Sequence, residues 1–264
     1  MPVFSGMKPN LLLMHGNGGS RTRFLPALDL LNRSYPDLQV VTPQLSGFDG
    51  RWLPPSEHYW DVFLQDLYES IADLLDQPWV LYGHGIGASL LMELAARQFV
   101  FPNGQVIPVK GVILHSAVGP ALDKRIFPSL MKPMPVRRLG RWLVTRPWLQ
   151  EFWEKRLFRY PDTIDPALRR QFFEDYTTCT AFPVFFDLIT PAWYKRVRSL
   201  AASYPFYFLW GDKERVLNVR LLKYLRQDFP HSRFEIVPGW DHFPMLETPS
   251  DFVHRLVHIA NEKC

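Results

Sequence analysis

Apolar residues along the chain recur in two patterns. Short, largely apolar runs occur at Leu11–Met14, Leu38–Thr42, Trp79–Tyr82, Val109–Leu114, Tyr204–Trp210 and Arg233–Val237. Their length and bounding Gly, Pro and Asn residues predict buried strands. Between them lie stretches with apolar residues three and four apart. Arg21–Arg33 places Phe24, Leu25, Leu28 and Leu31 on one side. Trp60–Leu75 sets Val62, Phe63, Leu67, Ile71 and Leu74 against Asp61, Asp66, Glu69 and Asp73 outside, which predicts one amphipathic helix. Ala88–Val100, Leu217–Phe229 and Ser250–Ala260 read the same way, with Ser250 placed to cap the last. Strands alternating with helices predict an α/β fold, a parallel sheet with helices on both faces.

One gap breaks the alternation. Roughly ninety residues separate the run ending at Leu114 from the one beginning at Tyr204, more than a crossover needs. Within it, Arg141–Val144, Trp148–Phe158 and Leu168–Phe173 have helical spacing, broken by Pro147, Pro161 and Pro166. Charge sets this region apart as well. Residues 121–198 carry 15 Lys and Arg against 8 Asp and Glu, although the whole 264-residue chain is only +4. The remainder is therefore net acidic, which together with the lack of a binding motif argues against nucleic acid. Basic residues interleaved with tryptophan suit peripheral contact with a membrane surface.

At 47% apolar residues the chain is expected to be globular, with no run long enough to span a bilayer. Met1 to Asn10 lacks a basic stretch followed by an apolar one, so no signal peptide is expected. Cys179 and Cys264 are the only cysteines, too few for a disulfide framework, and a cytoplasmic location fits them.

Candidate chemistry gathers after the apolar runs, where the carboxyl ends of parallel strands carry functional groups. The stretch Trp79–Leu91 passes from an apolar run through Gly83-His84-Gly85-Ile86-Gly87 into a helical pattern. This matches the nucleophile elbow G-x-S-x-G everywhere except its middle, where the serine is replaced by Gly85. His15-Gly16, Gly211-x-x-Glu214 and Asp241-His242 follow other runs.

In order and spacing these four motifs resemble the α/β-hydrolase fold superfamily of the cap-bearing, serine-nucleophile type. Only ten residues precede Leu11, so the superfamily's opening hairpin is expected to be reduced and the sheet to hold about six strands. The resemblance implies a hydrolase-fold core over residues 1–119 and 199–264, with an inserted helical cap (lid) over 120–198. It implies His242 as catalytic base, Glu214 as its orienting acid with Asp212 as the alternative, and an oxyanion hole from the backbone N–H groups of Asn17 and Ile86. It implies neither cofactor nor metal. Ten aromatic residues of the insert, from Trp142 to Phe186, point to an apolar pocket for a small ester- or lipid-type ligand, with at least half of them expected simply to pack.

Gly85 deletes the nucleophile. Ser89 lies inside the following helix, Ser116 ends a neighbouring strand without an elbow, and Cys179 belongs to the insert, so none replaces it convincingly. Three readings stay open: a pseudo-hydrolase that binds a ligand, an ester hydrolase whose serine is replaced in this sequence, and a non-covalent enzyme using His242 as general base.

Overall fold

The computed structural model describes residues 9–122 and 129–262. Residues 1–8, the insert positions 123–128, and 263–264 with Cys264 lie outside the described residues. Six strands form one sheet: β1 (Asn10–Met14), β2 (Val40–Val41), β3 (Trp79–His84), β4 (Val109–His115), β5 (Tyr207–Gly211) and β6 (Arg233–Val237). Every pairing is parallel, in the order β2-β1-β3-β4-β5-β6. The order reverses direction at β1 and β3, which brings the elbow and the loop after Met14 side by side.

The strands divide the interior into two apolar layers because successive side chains point to opposite faces. Leu12, Met14, Trp79 and Leu81 pack on one side with α2 (Tyr59–Glu69) and α3 (Ile86–Ala96). Leu11, Leu13, Val80 and Tyr82 pack on the other with α1 (Leu25–Ser34) and the C-terminal helix. Burial on both faces explains why β1 and β3 are apolar runs rather than alternating ones.

Several predicted elements are shorter. Pro43 and the turn donated by Leu38 N–H to the Tyr35 carbonyl restrict β2 to two residues. Pro205 likewise delays β5 to Tyr207. The single helix expected over 60–75 breaks after Glu69, where the Ser70 hydroxyl bonds back to the Asp66 carbonyl and Ile71 leaves helical geometry at φ −131°. The last helix starts at Pro249, whose ring presets the first helical φ, so Ser250 sits inside it rather than capping it.

The insert between β4 and β5 is helical: α4 (Met134–Val144), α5 (Gln150–Leu157), α6 (Pro166–Thr178), α7 (Phe185–Leu188) and α8 (Pro191–Ala201). Pro147 opens a 3-10 turn and Pro166 occupies the first position of α6, capped by Asp165. Arg137, 3% exposed, ties the insert together. Its guanidinium reaches both Asp187 oxygens at 2.5 and 2.6 Å and the carbonyls of Met131, Lys132 and Pro183. The chain returns to the sheet through α8, which packs on α3 and whose Trp193 indole donates to buried Glu93 at 2.9 Å. The remaining helices are α9 (Leu222–Asp228), α10 (Pro244–Glu247) and α11 (Pro249–Glu262). Among the described residues no helix is long and apolar enough to cross a membrane.

Candidate functional site

The Gly-rich turn after β3 is a sharp elbow. Gly85 has φ +56° and ψ −113°, between the last strand residue His84 and the first helical residue Ile86. Its N–H continues the sheet to the His115 carbonyl at 3.0 Å. The outer glycines are compelled by packing: a Cβ on Gly83 would lie 2.6 Å from the Ala88 nitrogen, and one on Gly87 would lie 2.7 Å from the His15 carbonyl. Gly85 differs. A Cβ there would meet only the Gly16 Cα, at 3.7 Å, so the middle position has room for a side chain and penalises one only through its φ.

Opposite this position stands His242. Its Nδ1 lies 2.8 Å from Glu214 Oε2. A carboxylate only accepts, so Nδ1 carries a proton, and in the neutral ring the lone pair is on Nε2. Glu214 is fixed on every side: Oε1 accepts from the Val216 and Leu217 N–H groups at 2.8 and 2.9 Å, and Oε2 also accepts the Ser116 hydroxyl at 2.6 Å. Burial pushes its carboxyl upward, but His242 and these hydrogen bonds outweigh that and hold it down at about 2. Asp212, the other acid considered, is turned away. It accepts the Gly239 N–H at 2.7 Å and pairs with Lys213 at 2.9 Å.

Asp241 has a role the sequence did not disclose. Its Oδ1 accepts from the N–H groups of both Arg215 and His242, and its Oδ2 pairs with the Arg215 guanidinium. It thereby locks the acid loop to the histidine loop. No pattern in the sequence distinguishes this clamp from a catalytic acid.

The other hydroxyl and thiol candidates are engaged elsewhere. The Ser116 hydroxyl is committed to Glu214, and Ser89 donates to the Val118 carbonyl at 3.0 Å. Cys179 is fully buried, which pushes its thiol up to about 12. Asn17 sits across the elbow, its amide donating to the Phe182 carbonyl at 3.2 Å. Ile86 opens α3, where the first N–H groups have no intrahelical acceptor.

Beneath the site is a layer of buried imidazoles. The His84 ring lies tilted against its neighbours, 4.5 Å from that of His242 and 5.1 Å from that of His115, whose Nδ1 meets the Tyr82 hydroxyl at 2.7 Å. Burial lowers His115 to about 3, His15 to about 4, and His84 well below its ordinary value, so all three are neutral near pH 7.

A cavity of about 650 Å³ opens between these strand ends and the insert. Gly85, Ile86, Asn17 and His242 form its floor, while Phe182, Phe185, Phe186 and Ile189 of the insert line the opposite wall. The predicted aromatic load therefore divides three ways. Phe158, Phe172 and Phe173 are core, and Trp142, Trp148 and Phe152 face outward at 47, 71 and 58% exposure.

The sequence model of the alpha/beta hydrolase family matches residues 11–256. The chain belongs to that family. A bromoperoxidase from Bacillus anthracis shares this alpha/beta hydrolase fold with a TM-score of 0.72 at 18% identity, covering 97% of this chain and 93% of that one. A thermophilic esterase from Thermogutta terrifontis superposes with a TM-score of 0.66 at 19% identity, covering 96% and 89%. An uncharacterized protein of Mycobacterium tuberculosis is 23% identical over 263 residues, 94% of this chain and 74% of its own length.

Proposed function

We propose that this alpha/beta hydrolase binds a small, largely apolar ester- or lipid-type ligand in the cavity under a helical cap and carries out no covalent acyl transfer. One observation carries the reading: the elbow offers no hydroxyl at Gly85, and Ser116, Ser89 and Cys179 are each hydrogen-bonded elsewhere or buried as an inert thiol. Covalent catalysis needs a nucleophile within reach of the base. The rest of the ester-cleaving equipment, with Asn17 and Ile86 as oxyanion-hole donors, serves here to seat a carbonyl or carboxyl group.

The test is ligand binding and turnover on the same preparation. The wild-type chain is expected to bind a medium-chain acyl compound by calorimetry while hydrolysing p-nitrophenyl butyrate no faster than buffer. Turnover with a burst of nitrophenol would overturn the reading.

A second reading has a specific observation in its favour. The His242–Glu214 pair is intact at 2.8 Å, and His242 lines the same cavity as Gly85. General-base action on a water or on the ligand itself needs no more than that. It predicts slow turnover without a burst, abolished in His242→Ala.

A further inference from the structure

Arg23 lies in the short 3-10 turn Arg21–Phe24 that follows the Asn17 loop, and it lines the cavity. The residue is 3% exposed. Its guanidinium stacks on Phe172 at 4.3 Å and reaches Phe243 and Tyr176 at 5.2 and 5.5 Å. The backbone makes way for it: a Cβ on Gly19 would lie 2.5 Å from Arg23 Nε.

A guanidinium so enclosed stays charged and calls for an anion. Arg23 has no hydrogen-bond acceptor at its buried Nε. Its one hydrogen bond, from Nη2 to the Asn17 carbonyl, is 3.5 Å long, at the outer limit. The buried carboxylate sharing this turn, Asp175, is occupied by the Ser20 and Thr22 hydroxyls, both at 2.8 Å, and by the Gln171 amide at 3.0 Å. Aromatic stacking offsets part of the cost of burying the cation and leaves its hydrogen-bonding capacity unused. Asp187, the carboxylate in the cavity wall, is already neutralised by Arg137. Among the charged side chains that line the cavity, Arg23, Lys132 and Arg137 outnumber the one carboxylate, Asp187.

We propose that the ligand is an apolar carboxylic acid, its carboxylate held by Arg23 beside the Asn17 loop and its chain lying along Phe182, Phe185 and Phe186. This rests on the ligand-binding reading above and narrows it from esters to free acids. An oxygen of that carboxylate occupies the room a serine hydroxyl would fill, facing the first N–H groups of α3. A planar carboxylate matches the edge of one guanidinium.

Calorimetry with decanoate and decanamide, isosteric but differing in charge, tests the proposal at pH 8. The wild-type chain is expected to bind decanoate at least about tenfold tighter than decanamide. Arg23→Gln should abolish that preference while holding decanamide affinity within about twofold, and Arg23→Lys should keep part of it. Equal wild-type affinity for the two compounds overturns the proposal and leaves ligand binding standing. So does an equal loss for both in folded Arg23→Gln, which would mark Arg23 as structural. Tighter binding of decyl phosphate than decanoate overturns the choice of carboxylate. If neither acyl compound binds, both this proposal and the ligand-binding reading fail. Should Arg23→Gln not fold, the wild-type comparison decides alone.

Discussion

Ser116 donates its hydroxyl to Glu214 Oε2 at 2.6 Å, on the same oxygen that His242 Nδ1 approaches at 2.8 Å. The serine does so from a positive φ of +48°, a conformation that costs a non-glycine residue of order 1 kcal/mol or more. The hydrogen bond to a buried carboxylate outweighs that cost. Ser116→Ala should destabilise the fold by about 1.5–3 kcal/mol, because it removes a bond to a charged acceptor and keeps the strain. Ser116→Gly loses the same bond but relieves the φ, so it should be about 1 kcal/mol less destabilised than the alanine variant. Urea unfolding of the three proteins measures both differences.

The elbow glycines should respond unequally. Gly83→Ala and Gly87→Ala place a Cβ under 3 Å from backbone, so both variants should lose several kcal/mol or fail to fold. Gly85→Ser meets open space and should fold with a loss of about 1–2 kcal/mol from its φ alone. Thermal denaturation ranks the three, and a Gly85→Ser variant as unstable as the outer two would contradict this account of the elbow.

Acid should unfold the protein early. His15 and His115 take up a proton near pH 6.5 when unfolded, but only at about 4 and about 3 in the fold, and His84 is lowered too. Between those values the unfolded chain binds more protons, so stability falls as pH drops below about 6.5, by about 1.4 kcal/mol per pH unit for each histidine. Glu214, ordinarily 4.5 and held at about 2, adds a further loss as pH falls from 4.5 toward 2. Denaturation midpoints at pH 7.5, 6.0 and 5.0 measure the first slope. A flat profile would show that the buried imidazoles are not held neutral.

The fold was legible because strands buried on both faces are written as apolar runs, and because helical periodicity fills the gaps between them. Element ends were less so, since Pro43 and Pro205 shorten strands through single missing N–H groups. At the site, Gly85, His242 and Glu214 stand at strand ends and are found by motif. What stayed hidden depends on neighbours distant in sequence. Ser116 meets Glu214 across 98 positions, and Asp241 reaches back 26 to Arg215. Arg23 reads as one polar residue of an amphipathic stretch until Phe172 and Phe243, from opposite parts of the chain, enclose it.

The outward aromatic residues of the insert carry their own expectation. Trp148, Phe152, Trp142 and Leu139 are 71, 58, 47 and 53% exposed, next to the exposed Arg138. Such a face suits an anionic lipid surface. The chain should co-sediment with phosphatidylserine-containing vesicles at low salt, and Trp148→Ala should weaken the association severalfold. No association of the wild-type chain at low salt would remove this expectation.

The absence of a nucleophile is tested most directly by intact-mass spectrometry of the wild-type chain after exposure to an alkyl fluorophosphonate, with Gly85→Ser alongside. Such a reagent marks an activated hydroxyl or thiol by adding one phosphonyl group. With Ser116 bonded to Glu214, Ser89 bonded to Val118 and Cys179 buried, the wild-type mass is expected to stay unchanged. A stoichiometric adduct on the wild-type chain, whichever residue it maps to, would contradict the account.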